Sequence, residues 1–153
     1  MMISPVTSQL NRPNQDPNIE LTMAADFRAA LRVFLRRTEE VARANGLTPQ
    51  RYDLLLQIHA GGTSRTESTV KELVERLSLG QPAVSELVKR TEEAGLITRH
   101  RDSGDGRVWK LRLTRDGRRR VLATFDELRS ERRALVETFA RASKHFNAIV
   151  PQQ

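Results

Sequence analysis

Apolar positions recur at steps of three and four in two long stretches of the chain, which is the spacing of an amphipathic helix. The first stretch begins at Leu21 and ends at Asn45-Gly46, a pair that suits a helix C-terminus. The second follows Thr114 and keeps its apolar positions from Val121 to Phe146, which predicts one long final helix. Such a helix cannot bury its apolar seam alone. We therefore expect it to pack on the first helix, on a second copy of the chain, or on both.

Three shorter helices are predicted between these two by their start signals. Thr48-Pro49 places an N-cap before a proline at the first helical position. Thr69 and Glu72 form a capping-box pattern. Gln81-Pro82 opens the third, directly after the tight turn at residues 78–80. The second and third of these helices have the spacing of a helix-turn-helix, and we call the third the recognition helix.

The pattern changes to period two after Gly95. A short strand is predicted at 96–99, turn residues occupy 103–106, and positions 108–113 alternate between apolar and polar. Together they predict a β-hairpin, the wing, with Trp109 in the core of its second strand. Residues 61–68 are small and polar and predict a loop. The expected fold class is therefore mainly α with a small β-hairpin wing, a winged helix-turn-helix flanked by N- and C-terminal helices.

Composition narrows the class of protein. The 153 residues include no cysteine, which excludes disulfides, thiol nucleophiles and thiol redox switches. Lys and Arg number 26 against 19 Asp and Glu, a net charge of +7, so a polyanionic partner is expected, either nucleic acid or an anionic membrane surface. Residues 1–20 hold three of the six prolines and predict a disordered tail. With no membrane span or secretory signal in the pattern, we expect a cytoplasmic protein.

The positive charge is concentrated on the wing. Residues 97–120 contain nine Lys or Arg and three Asp, whereas residues 69–93 contain four Lys or Arg and five Glu. A basic run centred on a hairpin tip favours a phosphate-binding surface over an ordinary solvated face. Affinity for a polyanion should therefore depend on the wing, and specificity on the recognition helix.

Several segments, taken in order, resemble the multiple-antibiotic-resistance regulator (MarR) family of bacterial repressors. The matching runs are LTPQRYDLL (47–55), TVKELVERL (69–77), VSELVKR (84–90), EAGLI (93–97), DGR (105–107) and LTRDGR (113–118). The resemblance implies a homodimer that binds double-stranded DNA at a pseudo-palindromic operator. It assigns 47–113 to the DNA-binding domain and 21–46 with 114–150 to dimerisation helices. The interface residues expected on those helices are Phe27, Leu31, Leu128, Leu135, Phe139 and Phe146.

The resemblance also indicates which side chains contact DNA. On the recognition helix the exposed candidates are Gln81, Ala83, Ser85, Glu86, Lys89 and Arg90. Glutamine suits an adenine edge, and lysine or arginine suits phosphate or guanine. A carboxylate does not suit phosphate, so we expect Glu86 to pair with Arg90 rather than to accept from a cytosine amine. On the wing the candidates are Arg99, Arg101, Asp105, Arg107 and Lys110. There the acid is expected to hold the turn while Arg107 enters the minor groove.

Other functions find less support in the sequence. No nucleophile, phosphate-loop or dinucleotide motif occurs, and the three histidines lack metal-ligand spacing, so neither an enzyme nor a metal or other cofactor is expected. The alternative function is a winged-helix module that binds protein without specific DNA binding, which the basic wing disfavours. The family resemblance leaves open whether a small-molecule effector of unknown identity releases the DNA or binding is constitutive.

Overall fold

The computed structural model describes residues 17–61 and 66–147, and within them the winged helix-turn-helix fold class is confirmed. The helices are α1 (Pro17–Ala44), α2 (Pro49–Ala60), α3 (Val70–Leu77), α4 (Gln81–Glu93), α5 (Arg115–Glu127) and α6 (Arg129–Asn147). The strands are β1 (Glu67–Ser68), β2 (Ile97–Arg101) and β3 (Trp109–Leu113). α3, the turn after it and α4 form the helix-turn-helix, and β2 and β3 form the wing.

The predicted start signals are confirmed. Thr48 Oγ1 accepts a hydrogen bond from the Arg51 amide at 3.2 Å, which satisfies one free donor at the start of α2. At the start of α3 the capping box is complete, because the Glu72 carboxylate accepts from the Thr69 amide at 2.8 Å while Thr69 Oγ1 accepts from the Glu72 amide. Ser78 ends α3 in the left-handed conformation, with φ 52° and ψ 37°, and this turns the chain into α4.

The sheet contains one more strand than the sequence predicts. Its order is β1-β3-β2 and both pairings are antiparallel. β1 lies in the segment predicted to be a loop, and it pairs Glu67 with Arg112 and Ser68 with Leu111. Two residues are too few to show an alternating pattern, so only the long-range pairing with β3 defines this strand. The wing is therefore bound along its β3 edge to the segment before α3.

The core lies where α2, α3, α4 and α5 meet the sheet. Its largest fully buried side chains are Leu54, Leu55, Ile58, Leu73, Ile97, Leu111, Leu128, Val84, Val88, Val121, Thr91 and Thr124. The polar Thr91 is accommodated there because its Oγ1 donates to the Leu87 carbonyl at 2.6 Å. α4 thus presents one face to the core and leaves the other exposed.

Two predicted helix boundaries are wrong. The described part of α1 already includes Pro17, four residues before the predicted start at Leu21. Residues 17–20, which the sequence assigned to a tail, therefore belong to α1. The remainder of the predicted tail, residues 1–16, lies outside the described residues.

The predicted single final helix is divided into α5 and α6 at Leu128. The Arg132 guanidinium donates a hydrogen bond to the carbonyl of Phe125 and lies 3.5 Å from the centroid of its ring. In a continuous helix that carbonyl would accept from the Arg129 amide, whereas here it accepts from the Arg132 guanidinium. Arg132, the one polar residue in the predicted seam, thus lies at the break.

α1 and α6 pack on each other within one chain. The rings of Phe27 and Phe139 lie 5.9 Å apart in a tilted arrangement. Apolar side chains of α6 nevertheless remain exposed, among them Val136 at 64% and Phe139 at 57%. Leu128, by contrast, is buried in the core and only 1% exposed. The prediction that it lies at a dimer interface is therefore wrong. The side chain of Phe146 lies outside the described part of the chain.

Candidate nucleic-acid interface

The exposed face of α4 collects the side chains predicted to contact DNA. Val84, Val88 and Thr91 fix the opposite face in the core. The predicted contact residues are all exposed, namely Gln81, Ala83, Ser85, Glu86, Lys89 and Arg90. This helix can therefore approach a flat or grooved partner without rearrangement.

Charge on this face is partly neutralised within the helix. Arg90 Nε donates to Glu86 Oε1 at 2.7 Å, the pairing that the sequence predicts. By contrast, the side chains of Gln81, Ser85 and Lys89 make no hydrogen bond or ion pair with any residue in 17–61 or 66–147. Two neutral polar groups and one cation are thus free to bind a partner.

The tip of the wing is held by two aspartates. Asp102 Oδ2 accepts from the Asp105 amide at 3.1 Å, and Asp105 Oδ1 accepts from the Arg107 amide at 3.0 Å. Lys110 Nζ lies 2.6 Å from Asp102 Oδ1, and this hydrogen bond lowers the pKa of the Asp102 carboxyl. Sequence reasoning missed Asp102, although its place before a glycine-rich turn is a signal for such a role. The tip is therefore a braced turn, by which we mean a turn held by the side-chain bonds of Asp102 and Asp105.

Arg107 projects from that braced turn. Its side chain is exposed and makes no hydrogen bond or ion pair with the part of the chain that the structure describes. Asp105 bonds to the backbone amide of Arg107, not to its guanidinium. The turn thus fixes the backbone while the positive charge stays free for a partner.

A charge cluster joins the outer face of the wing to β1. Glu67 Oε1 lies 2.6 Å from an Arg112 Nη and 3.1 Å from His100 Nε2. The hydrogen bond from Arg112 is the main cause of a lowered pKa for the Glu67 carboxyl. Lys110, a predicted DNA contact, lies between Glu67 and Asp102 with its side chain only 19% exposed. Lys110 therefore links β1 to the wing tip through these two carboxylates. Sequence reasoning missed Glu67 because only the β1–β3 pairing brings it here.

The inner face of the wing carries the other two predicted cations. Arg99 Nε donates to the Glu92 carboxylate of α4 at 2.8 Å, which ties β2 to the recognition helix. The Arg101 guanidinium lies 4.5 Å from the centroid of the Trp109 ring. Trp109 is 46% exposed, so the prediction that it belongs to the core is wrong. As the first residue of β3, it lies beyond the end of the core that Leu111 enters.

The first turns of α5 place further arginine side chains beside the wing. Asp116 accepts from Arg119 and, at 2.9 Å, from Arg120 Nε, and the bond from Arg119 is the main cause of its lowered pKa. The neighbouring Arg115 and Arg118 are exposed. Excess positive charge therefore continues from the wing onto the first turns of α5.

An exposed recognition helix beside a braced basic hairpin defines a winged helix-turn-helix protein. A model of the MarR family matches residues 45–108. The chain is 28% identical over 117 residues to the helix-turn-helix-type transcriptional regulator YdgJ of Bacillus subtilis, covering 68% of each chain. The chain is therefore similar to MarR-family transcriptional regulators in the sequence of its central part, and it shares the winged helix-turn-helix fold.

Solved structures share this fold at low sequence identity. A mutant of MarR from E. coli, complexed with operator DNA, has a TM-score of 0.64 at 16% identity, over 90% of this chain and 100% of that chain. A mutant of MepR from S. aureus, bound to an oligodeoxyribonucleotide, has a TM-score of 0.61 at 20% identity, over 83% of this chain and 97% of that one. In the described ranges no helix combines the length and apolar character needed to cross a membrane.

Proposed function

We propose that the protein is a homodimeric, sequence-specific DNA-binding repressor of a pseudo-palindromic operator. The observation that carries this proposal is the combination of two exposed features: the outer face of α4, and the Arg107 side chain at the wing tip, which makes no hydrogen bond or ion pair with residues 17–61 and 66–147. α4 fits the major groove, which admits one helix, and the guanidinium of Arg107 suits the strong negative potential of a narrow minor groove. The DNA-bound MarR and MepR structures with the same fold support this arrangement.

Within α4 we assign different roles to different residues. Gln81 and Ser85 lie one turn apart near its N-terminus, and their side chains have no partner in the described part of the chain, so they are the base-contacting candidates. Lys89 is the phosphate-contacting candidate. Ala83 offers a methyl contact at most, and Arg90 acts with its charge reduced by Glu86.

On the wing, direct contact is assigned to Arg107. Asp105 and Lys110 hold the tip, and Arg99 joins the wing to α4. These residues position the DNA-binding surface rather than form it. The basic start of α5 adds long-range attraction for phosphate.

Dimerisation is assigned to α1 and α6. Their outer faces expose apolar side chains such as Val136 and Phe139. The other predicted interface residues, Phe27, Leu31 and Leu135, are half-buried in the single chain, so part of each side chain remains available to a second copy. Two-fold symmetry then presents two copies of α4 to half-sites about one helical turn apart.

Binding, and not catalysis, is the activity that this proposal assigns to the protein, and the transcriptional regulators to which the chain is similar support it. The test is selection of duplexes that the purified full-length protein retains from a random library. The proposal predicts enrichment of an inverted repeat with the half-site spacing given above. A library that stays random after repeated rounds would favour the alternative, a winged-helix module that binds protein. The enriched sequence is called the selected duplex below.

A further inference from the structure

The one tryptophan of the chain, Trp109, forms an exposed stack with Arg101 on the wing. The Arg101 guanidinium lies over the Trp109 ring and also donates a hydrogen bond to the Gly106 carbonyl. The indole N–H has no acceptor among residues 17–61 and 66–147. The stack is thus held from one side by the turn and offers an apolar ring and an unused donor to a partner.

Strand register places the stack on the face of the wing that looks toward α4. The facing pairs Ile97–Leu113, Arg99–Leu111 and Arg101–Trp109 follow one another on the same side of the hairpin. Leu111 is buried in the core, and its partner Arg99 bonds to Glu92 of α4. The Arg101–Trp109 pair is the next one toward the tip. It therefore lies between the recognition helix and Arg107.

This position determines which part of a duplex would face the stack, and here the inference rests on the proposed function. When α4 occupies a major groove and Arg107 the adjacent minor groove, one sugar–phosphate strand separates the two grooves. That strand has to pass between α4 and the wing tip, across the inner face of the wing. The deoxyribose rings present C–H groups and the phosphates accept hydrogen bonds, which matches an indole ring and its N–H donor beside a guanidinium.

We propose that the Arg101–Trp109 stack is a contact surface for the sugar–phosphate backbone of duplex DNA between the two grooves. Because every sequence presents the same backbone, this contact adds affinity and fixes the position of the wing without contributing to base specificity. In this arrangement α4 discriminates between sequences. The stack holds the DNA strand that runs between the major groove occupied by α4 and the minor groove occupied by Arg107.

The first test uses the unmodified full-length protein, because Trp109 is its only indole. Tryptophan emission is recorded while the selected duplex or a random duplex is added, and the anisotropy of a label on the DNA reports complex formation in the same sample. The expected result is a change in emission and protection of the indole from acrylamide quenching with both duplexes. If anisotropy shows a complex while emission and quenching stay unchanged, the inference is wrong and the proposed function stands. If neither duplex is bound, the inference and the proposed function are both wrong.

The second test compares Trp109→Ala with Trp109→Phe, which keeps an aromatic ring and removes the N–H. We expect the alanine variant to weaken binding of both duplexes by the same factor, roughly three- to tenfold, with the phenylalanine variant in between. Leu122→Ala, at another exposed apolar position, is the control and should leave binding unchanged. A loss confined to the selected duplex would indicate a base contact and overturn the inference, as would full affinity of the alanine variant.

Discussion

Glu86 and Arg90 form an ion pair one turn apart on the exposed face of α4, with 2.7 Å between Oε1 and Nε. Both side chains are largely in solvent, so the pair adds little stability, but it reduces the positive charge that the helix offers to DNA. Glu86→Gln should therefore strengthen binding to the selected and random duplexes alike. It should also steepen the dependence of log K on log salt by up to about one unit, because Arg90 can then neutralise a phosphate. DNA anisotropy at several salt concentrations measures both effects.

The matched control for this prediction is Glu39→Gln on α1. Glu39 pairs with Arg43 at 3.5 Å, so the substitution removes the same charge from a similar exposed pair away from α4. An equal gain in the control would assign the effect to overall charge. A loss confined to the selected duplex would show instead that Glu86 accepts a hydrogen bond from a base.

Arg107 provides a test of the wing. Arg107→Ala should weaken binding to every duplex and reduce the salt slope by about one unit, because one cation no longer displaces counterions. Arg107→Lys should keep most of the slope while losing affinity for a narrow, A·T-rich minor groove, where a guanidinium is favoured. Salt-dependent titrations on duplexes that differ only in their minor-groove sequence check both expectations. An unchanged slope in the alanine variant would rule out contact between Arg107 and DNA.

The helices between α1 and the wing are predictable from sequence because the signals that start them are local. Thr48, Thr69 and Glu72 act within three residues of themselves, so the starts of α2 and α3 follow from side-chain chemistry alone. The exposed face of α4 follows in the same way from the spacing of Val84 and Val88. The candidates on this helix are accordingly where the sequence places them.

The features that sequence reasoning missed depend on distant contacts. β1 exists because Glu67 reaches Arg112, which lies 45 positions later in the chain. The division between α5 and α6 coincides with a side-chain bond from Arg132 to the carbonyl of Phe125, seven residues earlier. Trp109 fits an alternating strand pattern, but only the end of the core at Leu111 determines that its ring is exposed. The alternating pattern of a strand does not show at which residue the core ends.

Gly117 is expected to control the junction between the wing and α5. A Cβ at this position would lie 2.1 Å from the Leu96 carbonyl oxygen, which is backbone and cannot move aside easily. Gly117→Ala should therefore lower the free energy of unfolding by about 1–3 kcal/mol, despite the higher helix propensity of alanine. Urea unfolding measures the difference. Gly106→Ala is the control, since its Cβ would meet nothing within 4 Å; equal stability of the two variants would contradict this packing.

The exposed ring of Phe139 tests the assignment of the dimer interface. Phe139→Ser removes an apolar group from the outer face of α6, and we expect it to raise the Kd of the dimer by about tenfold or more. Sedimentation equilibrium over a range of concentrations measures this, with circular dichroism as the check on folding. Leu79→Ser, an exposed apolar position in the turn before α4, is the control and should leave association unchanged. A folded Phe139→Ser protein with undiminished association would place the interface elsewhere.

The central claim is that a dimer of this chain binds a specific DNA sequence. Its most direct test is a titration of labelled DNA from the region upstream of the protein's own gene, beside a random fragment of equal length, near physiological salt. The mass of the complex is determined in the same experiment. The account predicts tight binding to the upstream fragment, much weaker binding to the random one, and a mass of two chains per duplex. Equal, weak binding to both fragments, or a complex with a single chain, would contradict it.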